Sequence, residues 1–120
     1  MTRLDIWEGA QQDLRELPSD ELKLAAMNAI KTVWANPWAG KDLRRRARVG
    51  DLAGLRRVAF DSPDWSEKPR YRIVYRNEPD DGVVEVVAVI AVGLRERLAA
   101  YKEAATRLRA EQRRRLLDPE

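Results

Sequence analysis

Apolar and polar positions alternate at the start of this chain, recur every three to four residues through its first third, and form strand-like runs after Leu55. Leu4 and Ile6 alternate with polar neighbours, which predicts a short strand over Leu4-Asp5-Ile6-Trp7. Ala10–Leu17 has a helical pattern that Pro18 stops. Ser19 is placed as an N-cap, and Leu22, Ala25, Ala26, Ala29, Ile30 and Val33 follow as the apolar stripe of a second helix. That helix ends near Asn36-Pro37, because proline disfavours helical backbone in the residue before it. Leu55–Phe60, Tyr71–Tyr75 and Val83–Val92 read as strands. The last is almost wholly apolar apart from Glu85, as expected of a central strand covered on both faces by the C-terminal helix or by a partner. From Leu94 to about Leu116 the period is helical again, with Leu94, Leu98, Tyr101, Ala105 and Leu108 in one stripe. The predicted order is β-α-α-β-β-β-α.

The connections are equally distinct. Pro37–Gly54 reads as a link with room for a short helical turn, and carries Arg44, Arg45, Arg46 and Arg48. A solvated basic loop and a nucleic-acid contact explain that cluster equally well. Ser62–Pro69 is a polar loop longer than a tight hairpin, whereas Asn77–Gly82 has ordinary turn chemistry.

Strand parity supplies the first candidate chemistry. Side chains alternate faces, so Tyr71, Ile73 and Tyr75 share one face while Arg70, Arg72, Val74 and Arg76 share the other. In the strand before, Arg56, Val58 and Phe60 oppose Leu55, Arg57, Ala59 and Asp61. Packing the aromatic faces on helices brings Arg57 and Arg72 out together. Strands about 4.8 Å apart would let both grip one phosphate, provided the pairing register allows it. Arg95 and Arg97 fall at a helix start, where the dipole disfavours cations, so structure alone does not explain them. Tyr101 lies in an apolar stripe, and core packing accounts for it there.

Composition narrows the chemistry further. The 120 residues suit a single domain over 1–120, and no apolar run reaches the roughly 20 residues needed to span a bilayer. The opening residues lack a basic-then-apolar leader pattern and there is no cysteine, so a cytoplasmic protein is expected. The absence of histidine excludes Ser-His-Asp catalysis and nearly all zinc sites. No metal or cofactor is expected. Net charge is +3 overall, but it is −2 over residues 1–40, +6 over 41–76 and −1 over 77–120. The middle third is therefore a basic block suited to a polyanion.

Tyr71-Arg72-Ile73-Val74-Tyr75, the valine-rich strand, and Val92-Gly93-Leu94-Arg95-Glu96-Arg97 followed by Tyr101 resemble the RelE/ParE toxin superfamily, in its RelE-like branch. The resemblance implies an α+β fold: a small, mostly antiparallel sheet of about four strands, N-terminal helices on one face, and a C-terminal helix. It also implies a toxin of a type II toxin–antitoxin system, partnered by a cognate antitoxin. RelE-like members are ribosome-dependent endoribonucleases that cut mRNA and inhibit translation, so ribosome and mRNA are implied partners. Carried over residue by residue, Arg72 resembles the arginine that stabilises the scissile phosphate, and Arg95 the group acting on the leaving oxygen. Tyr101 resembles the tyrosine that orients or activates the 2′-hydroxyl. Arg57 stands where the family has an RNA-contacting lysine, and Arg97 with Arg44, Arg45, Arg46 and Arg48 would extend the RNA surface. A second family lysine is replaced by Ala59, and the 62–69 loop is longer than in compact members. Two alternatives stay open: a non-catalytic ParE-type gyrase inhibitor and an inactive binding module on the same fold.

Overall fold

The computed structural model describes residues 2–43, 45–46, 50–51 and 54–117, with the side chains of 45, 46, 50, 51 and 97 outside the description. Strand β1 (Arg3–Ile6) is followed by helices α1 (Glu8–Arg15) and α2 (Asp20–Ala35). Three short strands come next: β2 (Lys41–Asp42), β3 (Arg45–Arg46) and β4 (Gly50–Asp51). The long strands are β5 (Leu55–Phe60), β6 (Tyr71–Glu78) and β7 (Val86–Leu94), and a 3-10 turn at Glu96–Leu98 leads into α3 (Ala99–Leu117).

The main sheet has five strands in the order β1-β7-β6-β5-β2. It is antiparallel except at one edge, where β1 runs parallel to β7. The expected four strands gain β2, and β3 and β4 pair as a separate two-stranded antiparallel sheet. The described part of Pro37–Gly54 thus holds turns and short strands, and the expected helical turn is not found among its described residues. Two-residue strands carry too few side chains to leave a periodic signal.

Helix α2 forms where its pattern places it. The Ser19 hydroxyl accepts from the Leu22 amide, and Leu22, Ala26, Ile30 and Val33 are buried. These residues pack with Phe60, Tyr71, Ile73 and Tyr75 on one sheet face. Helix α3 covers the opposite face, burying Ala100, Tyr101, Ala104 and Ala105 against Leu55, Val74, Ile90 and Ala91. Both faces of β7 are therefore covered from within the chain. A bulge shifts its alternation: Val74 pairs with Ala91 and Tyr75 with Val89, so Ile90 is the extra residue. Ile90 and Ala91 then enter the same core in succession.

The last helix starts later than its apolar period suggests. Leu94 ends β7 and is 41% exposed, so it does not belong to the helical stripe. Leu98 takes φ +60°, the left-handed region, and so separates the 3-10 turn from α3. Farther along, Arg107 fixes α3 to the rest of the fold. Its two Nη atoms donate to the Asp13 carboxylate at 2.8 and 3.1 Å, and Nη1 also donates to the Ile90 carbonyl at 2.8 Å. Asp13 in turn accepts from the Val92 amide at 3.0 Å.

Candidate anion-binding site

Pairing register decides which arginines meet. Arg57 lies opposite Val74 and Arg72 opposite Ala59, so the two are diagonal neighbours on the α3 side of the sheet. Lys41 lies directly opposite Arg57 across the β2–β5 pair. Where α3 begins, its first turn leaves this corner of the sheet open as a cleft of about 920 Å³. Arg57, Ala59 and Arg72 form its sheet floor, and Arg95, Leu98 and Tyr101 close the α3 end. Lys41 stands at the outer edge, and Lys68, Pro69 and Arg70 form the wall opposite. The lining holds six cationic side chains against one carboxylate, Glu96, so an anion is the ligand this cleft favours.

Arg72 is the least ordinary of these groups. It is 4% exposed and makes no ion pair with any described residue. Its Nη1 donates to the carbonyls of Pro69 and Tyr71 at 2.9 and 2.8 Å, while its buried Nε has no partner among the described residues. Burial pulls its pKa below the ordinary arginine value; the Tyr101 hydroxyl, which hydrogen-bonds it, acts in the opposite sense, and Arg57 and Arg95 add like-charge repulsion. A buried cation lacking a carboxylate is costly, and an anion in the cleft would offset that cost.

The sequence-predicted residues separate clearly. Arg57, Arg72, Arg95 and Tyr101 converge on one cleft. Tyr101 is 2% exposed, so it is both a core residue of α3 and part of the cleft wall. Arg45 and Arg46 form β3, with their side chains outside the description, as is that of Arg97. Arg44 and Arg48 fall outside the described residues. Lys41 and Lys68 are cleft residues that strand parity did not identify, since both sit in segments read as connections. Among the described residues, no group of three or more metal-type ligands converges, and no helix is long and apolar enough to cross a membrane.

The wall carrying Lys68 is built from neighbouring parts. Asp61 accepts from Arg70 Nε at 2.9 Å, from Arg70 Nη2 at 2.8 Å, and from the Arg70 and Ser62 amides at 2.8 Å each. The Arg70 guanidinium is the main cause of an Asp61 pKa lowered to about 2, with both amides helping and burial opposing. The same guanidinium lies 3.6 Å from the centroid of the Trp65 ring. Trp65 Nε1 donates to the Lys68 carbonyl at 3.1 Å.

This fold is that of a known class of small toxins. The chain belongs to the RelE/ParE superfamily of type II toxin–antitoxin toxins; the family model described as the ParE toxin of the type II toxin-antitoxin system, parDE, matches residues 5–92. No curated protein matches the chain in sequence. Among solved structures, a double arginine-to-alanine mutant of the Escherichia coli toxin RelE in the free state is similar in fold, at TM-score 0.58 and 22% identity, covering 89% of this chain and 97% of RelE. The isolated Escherichia coli RelE toxin gives TM-score 0.56 and 26% identity over 90% of this chain and 99% of RelE. The toxin–antitoxin complex RelBE2 from Mycobacterium tuberculosis gives TM-score 0.53 and 25% identity over 78% of this chain and 98% of the matched one.

Proposed function

We propose that this toxin is a ribosome-dependent mRNA endoribonuclease of the RelE type, held inactive by a cognate antitoxin. The observation that carries the reading is Arg72: a buried, carboxylate-free cation facing a cleft that also holds Arg57, Arg95 and Tyr101. Cleavage of RNA by its own 2′-hydroxyl forms a bond from that oxygen to the adjacent phosphorus and breaks the bond to the 5′-oxygen. The products are a 2′,3′-cyclic phosphate and a 5′-hydroxyl. In this scheme Arg72 stabilises charge on the phosphoryl oxygens, and Arg95 gives a proton to the leaving 5′-oxygen while the 2′-hydroxyl loses its own to water. Tyr101, hydrogen-bonded to Arg72, orients the attacking hydroxyl. Arg57 and Lys41, paired across two strands, hold the flanking backbone. With no histidine to serve as a base at neutral pH, such a site depends heavily on alignment of its substrate, a role suited to the ribosome.

A second reading has a specific observation in its favour. The matching family model is that of ParE toxins, and Ala59 removes a cation from the floor of the cleft. On that reading the protein inhibits DNA gyrase without catalysis.

Inducible expression in a bacterium, with transcript ends mapped by primer extension, separates the two. The nuclease reading expects codon-phased cuts within translated messages. Arg72→Ala or Arg95→Ala should lower cleavage by about 10²–10³-fold, as loss of one preorganised charge stabiliser does. Growth arrest with intact transcripts and a DNA-damage response contradicts it and supports gyrase inhibition.

A further inference from the structure

Ala59 sits directly across the β5–β6 pair from Arg72, so the floor beside the buried guanidinium is open and carries no charge of its own at that position. The wall above supplies three residues, Lys68, Pro69 and Arg70. The two cations there are not equivalent. Arg70 is matched by Asp61 through two side-chain bonds and stacks on Trp65, so its charge is largely compensated. Lys68 is exposed and takes part in no ion pair among the described residues. Its backbone is tethered: the Trp65 indole N–H donates to its carbonyl, and the Trp65 ring lies against the Arg70 guanidinium, which Asp61 in turn holds.

We propose that Lys68 is a phosphate-binding residue of the RNA site, supplying from the 61–70 loop the backbone contact that the β5 strand lacks at Ala59. Trp65 and Asp61 are positioning residues that act through it. The long loop thereby brings a lysine to the cleft wall. The proposal rests on the RNA-cleavage reading and extends it to a residue on an element that packing alone does not require.

The test is binding of a short, uncleavable 2′-O-methyl single-stranded RNA at low salt, followed by fluorescence anisotropy over a salt series. Lys68→Ala should weaken binding severalfold and reduce the slope of log K against log salt by about 0.7, the loss of one single-strand phosphate contact. Lys68→Arg should restore both, while Lys31→Ala, on α2 across the sheet, should change neither. Trp65→Phe keeps a ring over Arg70 but removes the donor to Lys68. It should weaken binding in the wild-type background and have no effect in Lys68→Ala. Unchanged affinity and slope in Lys68→Ala overturn the assignment, as do additive effects of Trp65→Phe and Lys68→Ala. In the transcript assay, wild type and Lys68→Ala cutting equally would remove Lys68 alone. A wild type that neither cuts messages nor binds RNA would remove the cleavage reading and Lys68 with it.

Discussion

A buried arginine without a carboxylate is rarely tolerated for the sake of the fold. Arg72 spends two hydrogen bonds on nearby carbonyls, meets the Tyr101 hydroxyl and keeps an unpartnered Nε, so its burial leaves part of its donor capacity unmet. Replacing a buried ion pair by well-packed apolar residues is often neutral or stabilising, and removing Arg72 strands no described carboxylate. Arg72→Met should therefore change unfolding free energy by less than about 1 kcal/mol, or raise it, while abolishing cleavage. Chemical denaturation measures this, and a loss beyond about 2 kcal/mol would make Arg72 a structural residue. Asp61 makes a prediction of the opposite kind. Its pKa is lowered to about 2 from 3.8, so its stabilising contribution is complete above the unfolded value and is lost as pH falls through the folded one. A carboxyl NMR titration should find the Asp61–Arg70 pair intact near pH 4 and broken only as pH falls toward about 2. Much of this was legible from residue types. Alternation put Arg57 and Arg72 on one face, and that is where they lie. Their diagonal offset was not legible, because register depends on the pairing partner. Lys41 and Lys68 were missed because a two-residue strand and a loop have no period to read.

At the scale of elements, the legible parts are those with a long, clean period. Helix α2 has both a side-chain cap and a continuous stripe, and its bounds fall where Ser19 and Asn36-Pro37 set them. Ser19→Ala should cost about 1 kcal/mol, as loss of an N-cap does, seen as a lower denaturation midpoint with an unchanged slope. Helix α3 was misplaced at its start because the left-handed backbone at Leu98 interrupts a stripe that looks continuous in sequence. The interruption sets Arg95 and Tyr101 around the cleft rather than along one helix face. What holds α3 down is a long-range pair, Asp13–Arg107, which no local pattern announces. Arg107→Ala should destabilise the fold by about 1.5–3 kcal/mol, the range for hydrogen bonds to a charged group. Amide exchange should rise in α3 before it rises in the central strands. Equal protection of α3 in wild type and variant would show that the apolar contacts of Tyr101 and Ala104 suffice without the clamp.

For the whole molecule, the sheet separates two tasks. One face, with α1 and α2, is wholly an apolar core. The other is shared between the α3 core and a basic cleft that begins where the helix begins. The basic middle third of the sequence supplies the cleft's floor and outer wall, and the end of β7 with the start of α3 supplies the rest. A net charge of only +3 thus conceals a strongly cationic site on a molecule that is otherwise nearly balanced. The central claim is that this cleft cuts RNA at a phosphate held by Arg72. Its most direct test is purified protein added to ribosomes programmed with a defined end-labelled message, with a gyrase supercoiling reaction run beside it. The account predicts cleavage of ribosome-bound mRNA to 2′,3′-cyclic-phosphate and 5′-hydroxyl ends, abolished in Arg72→Ala, with gyrase unaffected. Intact mRNA together with blocked supercoiling would contradict it.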